Sequence, residues 1–355
     1  MKLLSILAVS AAAVLLPELL QAQTDYAVTA RGLNYSVYQK TNAINGTNQV
    51  LRYTELASGL NYTNSSGQLV PSVESIEPLS GGGAQAIQGQ HKVTFPGDIA
   101  SGVLQVTTPD GRILESRPLG VAYDDGSNTV FIASLTNAVG YLAGSNQVVY
   151  PGAFGPLGDL VCTYRRGGFE SDMVFRQCPP SPDSVGLNPD TATLQIVTEF
   201  FDTADPEQIP AGCNDWYGLV DNTLKFGRLQ MGPGKAFTTP ATNSTVASVR
   251  VYKKWLDLGT RKFLVEEIPL AYVAEDLSAL PQQAAIEKPH GKILKFASDD
   301  PHFPATHTLG GDTNRILLAS ADFPHERGFV LDYNEVDDGQ TDYTFSSGQT
   351  YLIDG

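Results

Sequence analysis

Cysteine and positive charge are both scarce in this chain. Three cysteines stand in 355 residues, Cys162, Cys178 and Cys213. Three thiols cannot all pair internally, and a chain of this length has ample core, so stability need not depend on disulfides. Lysine and arginine number 23 against 38 aspartates and glutamates, a formal charge of −15. No basic cluster interrupts that acidity, which repels phosphate backbones and anionic lipid heads and excludes nucleic acid as an expected partner. Helical spacing is nearly absent. The best candidate runs from Ala274 to Leu280, about two turns, and is ended by Pro281.

Signatures of common chemistry are missing as well. The Gly-x-Ser-x-Gly turn that exposes a nucleophilic serine does not occur. Gly232-Pro233-Gly234-Lys235 lacks the full phosphate-loop pattern and a following helix, so it reads as a turn. Gly81-Gly82-Gly83 likewise precedes no helix and reads as a linker, not a dinucleotide fingerprint. Cys162 lies inside a strand pattern with no adjacent histidine and is expected to be a packed thiol.

At the start of the chain, Lys2, the apolar stretch Leu3 to Leu16 and the small-residue site Leu20-Gln21-Ala22 read as a secretory signal over residues 1–22. Pro17 and Glu18 interrupt that stretch before it reaches the roughly 20 residues a spanning helix needs. No later run is apolar enough to span, so the mature chain from about Gln23 is expected to be secreted or held at the cell surface, with no transmembrane segment.

From Tyr26 to Ile353 the chain alternates short β-branched and aromatic runs with turn residues, and 34 glycines and 22 prolines serve those turns. This predicts an all-β fold, one or two antiparallel β-sandwich-like domains with very little helix. Thr108-Pro109-Asp110-Gly111, Gly167-Gly168 and Gly259-Thr260 are expected hairpin turns, and Leu194, Ile196, Thr198 and Phe200 share one side of a longer strand. The proline-rich stretch around Pro180 sets an expected division into residues 23–180 and 181–355, the second being either a second β-rich domain or a continuation of the first. Strand patterns persist at Tyr343 to Phe345 and Thr350 to Ile353, which suggests the opening section of a longer polypeptide, or strands that close the sheet.

A two-residue turn at Gly167-Gly168 would set Cys162 opposite Met173 and Cys178 opposite Leu157. The two thiols would then lie about five strand positions apart, on the order of 16 Å. That exceeds disulfide reach. In an oxidising compartment the expected bridge is Cys178 with Cys213, both in Pro/Gly-flanked loops, leaving Cys162 buried and free.

Tyr53 to Tyr62, Gly89-Gln90-His91-Lys92-Val93, Thr108 to Gly111, Gly186-Leu187-Asn188-Pro189 and Phe263 to Glu267 together resemble an uncharacterised secreted β-rich region at the start of large bacterial extracellular proteins. Tyr150 to Leu160, Tyr164 and the Gly167 to Val174 segment are similar to the amino-terminal β-domain of wall-associated and RHS-repeat proteins. The resemblance implies a bacterial envelope or extracellular role. It carries over no catalytic residue.

Candidate sites are few. Asp299, Asp300, His302, His307 and Asp312 form the one cluster of metal-ligating types, although His-x-x-x-x-His in a proline-rich loop does not aim both rings at one point. Asp124-Asp125-Gly126 and Asp337-Asp338-Gly339 resemble fragments of calcium loops but equally suit type I turns, so the expectation is no cofactor, with calcium as the alternative. Glu199, Glu266 and Glu267 lie on strands and are the carboxylates a glycan-directed hydrolase could use. One of Glu266 and Glu267 is expected to face outward and the other to pair with Lys253 or Lys254. The 15 tyrosines with Trp216 and Trp255 supply flat faces that could stack on sugars. The sequence therefore points to a non-catalytic extracellular or cell-surface β-domain serving adhesion, assembly or presentation of neighbouring domains. Its expected partner is a glycan or a cell-surface protein. The alternatives are a carbohydrate-binding module and a secreted hydrolase.

Overall fold

Alternation along Leu194, Ile196, Thr198 and Phe200 is realised as a strand whose one side enters the core, each of the four being at most 4% exposed. The same logic recurs throughout a computed structural model that describes residues 26–44, 47–214, 218–239, 249–283, 292–293, 328–333, 336–337 and 350–353. The segment 1–22, expected to be the signal, lies outside the described residues. The fold is all-β with several antiparallel sheets, and the described residues contain a single α-helix, α1 (Ala274–Ser278), within the predicted span.

The strands that position the regions discussed below are β1 (Ala27–Gly32), β2 (Tyr35–Ile44), β3 (Thr47–Leu56), β4 (Lys92–Phe95), β5 (Leu104–Thr107) and β6 (Ile113–Asp124). They continue with β7 (Gln147–Tyr150), β8 (Gly158–Tyr164), β9 (Phe169–Phe175), β10 (Thr193–Phe201), β11 (Val220–Phe226) and β12 (Leu229–Met231). The last are β13 (Gly234–Thr239), β14 (Val249–Asp257), β15 (Lys262–Pro269), β16 (Gly328–Tyr333) and β17 (Thr350–Ile353).

One large sheet runs in the order β7-β8-β9-β16-β13-β14-β15-β10-β6-β5-β4 and turns back on itself. Phe95 of β4 packs on Phe169 of β9 with ring centroids 6.0 Å apart, and the Tyr150 hydroxyl of β7 donates to the Pro96 carbonyl at 2.8 Å. A single hydrophobic cluster joins both limbs, from Val93, Val121 and Ile196 on one side to Tyr150, Leu160 and Met173 on the other. The sheet crosses position 180 through the β6–β10 pairing, in which Val121 lies opposite Ile196. Both faces of β8 are covered, so Val161 and Thr163 are buried as well as Leu160, Cys162 and Tyr164. A smaller sheet, β1-β2-β3-β17, stands beside it, with β17 parallel to β3.

Two predicted turns are found where expected. Gly259-Thr260 closes the β14–β15 hairpin, with Asp257 opposite Lys262. Thr108 to Arg112 joins β5 to β6, and Gly111 takes the left-handed φ of 85° that a side chain would resist. The third turn falls one residue earlier than predicted. Arg165 and Gly168 exchange backbone hydrogen bonds, so Arg166-Gly167 is the tip and Cys162 lies opposite Ser171, not Met173. Side chains fix this register: Arg165 pairs with Glu170 at 3.0 Å, and the Arg166 N–H donates to Glu74 Oε1 at 2.9 Å. The Gly81-Gly82-Gly83 stretch is a tight turn, with the Gly82 N–H donating to the Leu79 carbonyl.

Candidate functional site

The three carboxylates that a hydrolase could use do not converge. Glu199 points to the outer side of β10, where Arg261 grips both its oxygens at 2.6 and 3.0 Å and Arg117 is its partner on β6. Glu267 lies on the same side of β15, held by Lys254 at 3.0 Å and by the Gln195 amide at 2.8 Å. Glu199 stands opposite Phe263, four residues from Glu267, which separates the two by about 13 Å along the sheet. Glu266 points the other way, into the core, and is fully buried. The expectation of one outward glutamate beside one paired with lysine thus holds only for Glu267 with Lys254.

Around Glu266 the interior is charged. Val251, Lys253 and Trp255 alternate on the inward side of β14, and Lys253 is the cross-strand partner of Glu266. From β11, Asp221 reaches across the layer. Its Oδ1 accepts from the Lys253 ammonium at 3.3 Å and from the Lys253 backbone N–H at 3.1 Å. Its Oδ2 accepts from Arg250 Nε at 3.0 Å and from Nη2 at 2.7 Å. The side chains of Asp221 and Lys253 are 0% and 1% exposed. Further along the same inward strand sides three aromatic rings pack on one another: Phe200 stacks on Phe226 at 6.1 Å, and both meet Trp255 edge-on at 5.0 and 5.7 Å. Thr198, two cross-strand pairs along from Glu266 on the same side, has a buried hydroxyl with no hydrogen-bond partner. Burying such ions costs several kcal/mol each before their mutual attraction offsets it.

Sequence reasoning paired lysine with glutamate but missed Asp221 and the inward direction of Lys253. A signal was present, because Val251 and Trp255 flank Lys253 at period two and only an inward strand side buries both. Asp221 had none, since nothing in the chain order ties β11 to the face of β14.

A second region of interest is the side of β1–β3 that carries tyrosines. Tyr38 and Tyr53 stack at 4.8 Å with planes 8° apart, Tyr26 meets Tyr53 edge-on at 5.1 Å, and Lys40 lies 5.8 Å from the Tyr26 ring. All three tyrosines are half-buried. The Tyr38 hydroxyl donates to Glu55 at 2.7 Å, and desolvation followed by that bond pushes its pKa up to about 12. Trp255, in contrast, is buried at 7% exposure, its indole N–H donating to Asp205, and offers no face to a ligand.

The fragment Gly-Leu-Asn-Tyr occurs twice, at Gly32 to Tyr35 and at Gly59 to Tyr62, and the two copies dock on one another. Asn61 Nδ2 donates to the Gly32 and Tyr35 carbonyls and to Ser36 Oγ, and the Gln90 amide donates to the Leu33 carbonyl, Asn34 Oδ1 and the Asn61 carbonyl. Asn61 opens an Asn-x-Thr sequence with Tyr62 and Thr63 and is 1% exposed, so this glycosylation motif is closed in the folded chain. Beside this joint His91 packs on Tyr164 and donates from Nε2 to the Gly168 carbonyl at 3.1 Å; desolvation lowers its pKa to about 4.

The proposed metal ligands Asp299, Asp300, His302, His307 and Asp312 lie outside the described residues. Asp124 and Asp125 are described. Asp124 Oδ1 accepts from the Gly126 N–H, and Asp125 accepts from the N–H groups of Ser127, Asn128 and Asn188, which hold its carboxyl below the usual range. These oxygens serve the turn itself, and among the described residues no group of three or more His, Cys, Asp or Glu side chains is placed to hold a metal ion. Cys162 is buried with Sγ 3.8 Å from Ser171 Oγ, and burial pushes its thiol pKa well up. Cys178 carries a free thiol that donates to the Pro179 carbonyl; the side chain of Cys213, its expected partner, lies outside the described residues. No described helix is long and apolar enough to cross a membrane. No known protein family, curated protein or solved structure matches the chain.

Proposed function

We propose that this chain is a non-catalytic extracellular β-module that serves adhesion, assembly or presentation of neighbouring domains. The observation that supports it is the use to which the strand carboxylates are put. Glu199 and Glu267 on the outer side of one sheet, and Asp221 reaching its inner side from a strand of another, are each clamped by arginine, lysine or both. An acid and base pair for glycoside cleavage needs two carboxyl groups roughly 5 to 10 Å apart across an open cleft. Ion pairs in these places instead brace neighbouring strands. The signal-like start and the resemblance to amino-terminal regions of bacterial extracellular proteins support the same reading. Incubating residues 23–355 with a panel of polysaccharides tests it: no reducing ends should appear. Turnover lost on Glu199→Gln or Glu266→Gln would overturn it.

A second reading, carbohydrate binding, is favoured by the tyrosines of β1–β3. Rings beside a lysine and a glutamate offer both the apolar surface and the hydrogen-bonding groups that sugar recognition uses. A glycan array run with calcium and then with chelator tests this. Binding that falls at least tenfold on Tyr53→Ala supports it, while a blank array removes it and leaves the module structural.

A further inference from the structure

The buried cluster at the β11–β14 junction is more than an ion pair set in an apolar core. We propose that Lys253 and Asp221 are joined in the mature protein by an intramolecular amide bond, formed between Nζ and Cγ with loss of water and assisted by Glu266. This does not rest on the proposed surface role, and either can fail alone.

Each requirement of the reaction has a group in place. The nucleophile and electrophile are fixed by the fold, with Nζ 3.3 Å from Oδ1 and the backbone N–H of the same lysine holding that oxygen. Such positioning replaces a bimolecular encounter with a unimolecular step. Arg250 grips Oδ2 through two N–H groups, so the negative charge that develops on that oxygen as Nζ adds to Cγ has a charged donor ready. Glu266, opposite Lys253 in the β14–β15 register and fully buried, is the group placed to carry protons. Burial excludes the solvent that would compete for the carbonyl carbon, since Asp221, Lys253 and Glu266 are each at most 1% exposed.

The atoms balance without an oxidant or cofactor. A lysine ammonium and an aspartate carboxylate bring three N–H protons and two oxygens. The C–N bond forms and the Cγ–Oδ1 bond breaks. One proton stays on the amide nitrogen, two leave with Oδ1 as water, and Oδ2 remains as the amide oxygen held by Arg250. Glu266 accepts a proton from the ammonium, delivers it to Oδ1 and ends unchanged. In water the reverse reaction wins, but here condensation removes two ions from a dry interior and returns water to bulk, reversing the desolvation cost of the pair.

The test is mass spectrometry on the folded, purified full chain. The expected result is an intact mass one water below that of the same polypeptide with free side chains. A tryptic digest should then yield a branched peptide linking the Asp221 and Lys253 segments, with no cleavage after Lys253. Glu266→Gln should restore the missing water. A folded wild-type protein of full mass, or a one-water deficit without the branched peptide, overturns the proposal. A link that survives Glu266→Gln overturns the part assigned to Glu266. Should that variant fail to fold, the wild-type peptide map still decides whether the bond exists.

Discussion

Lys253 and Lys254 are neighbours in the chain but point to opposite sides of β14. The first meets Asp221 inside the core with 1% of its side chain exposed, and the second meets Glu267 outside with 40% exposed. Equal charges and adjacent positions therefore carry unequal weight. Replacing Lys253 with Met leaves two buried carboxyl groups with Arg250 as the remaining cation and is expected to cost at least about 3 to 5 kcal/mol. Replacing Lys254 with Ala should cost under about 1 kcal/mol. Urea denaturation of the two variants gives the comparison, and equal midpoints would contradict it.

A histidine held neutral makes stability depend on pH. His91 is 3% exposed, and its pKa falls from 6.5 to about 4 on burial. Between those values the unfolded chain binds the proton and the folded chain does not. Its contribution is thus intact above pH 6.5, is lost as pH falls toward 4, and changes no further below, a loss on the order of 3 kcal/mol. His91→Phe should flatten that part of the profile relative to wild type. Parallel curves between pH 7 and 4.5 would show that burial of His91 does not set it.

Close approach, and not backbone angle alone, makes one glycine indispensable. Gly59 and Gly67 both have positive φ, at 65° and 77°. A Cβ on Gly59 would stand 1.7 Å from the Arg166 carbonyl oxygen, whereas one on Gly67 meets nothing within 4 Å. Gly67→Ala is expected to cost about 1 kcal/mol from conformation, and Gly59→Ala more than about 3 kcal/mol, because the β8–β9 turn must move as well. Thermal melts of both variants measure the difference.

How much of this was legible depended on distance along the chain. Turns fixed by their own residues, such as Gly259-Thr260 and Thr108 to Gly111, could be read directly. The turn at Arg166-Gly167 could not, because Glu74 of a distant segment helps to choose its register. The inward side of β10 was visible at Leu194 to Phe200 as simple alternation. Lys253 was legible in principle from Val251 and Trp255, but charge argued against an inward lysine, and the ion pair with Asp221 on another strand, which helps to explain why it is tolerated, is not visible in the local pattern. The docking of the two Gly-Leu-Asn-Tyr fragments needs Gln90, which no local pattern connects to them.

An extracellular module must first leave the cytoplasm, so the most direct test is to express the chain from Met1 in a bacterial host. Fractionation followed by amino-terminal sequencing locates it and reads where it starts. The account predicts protein outside the cytoplasm beginning near Gln23. Chain retained in the cytoplasm with residues 1–22 intact would contradict it.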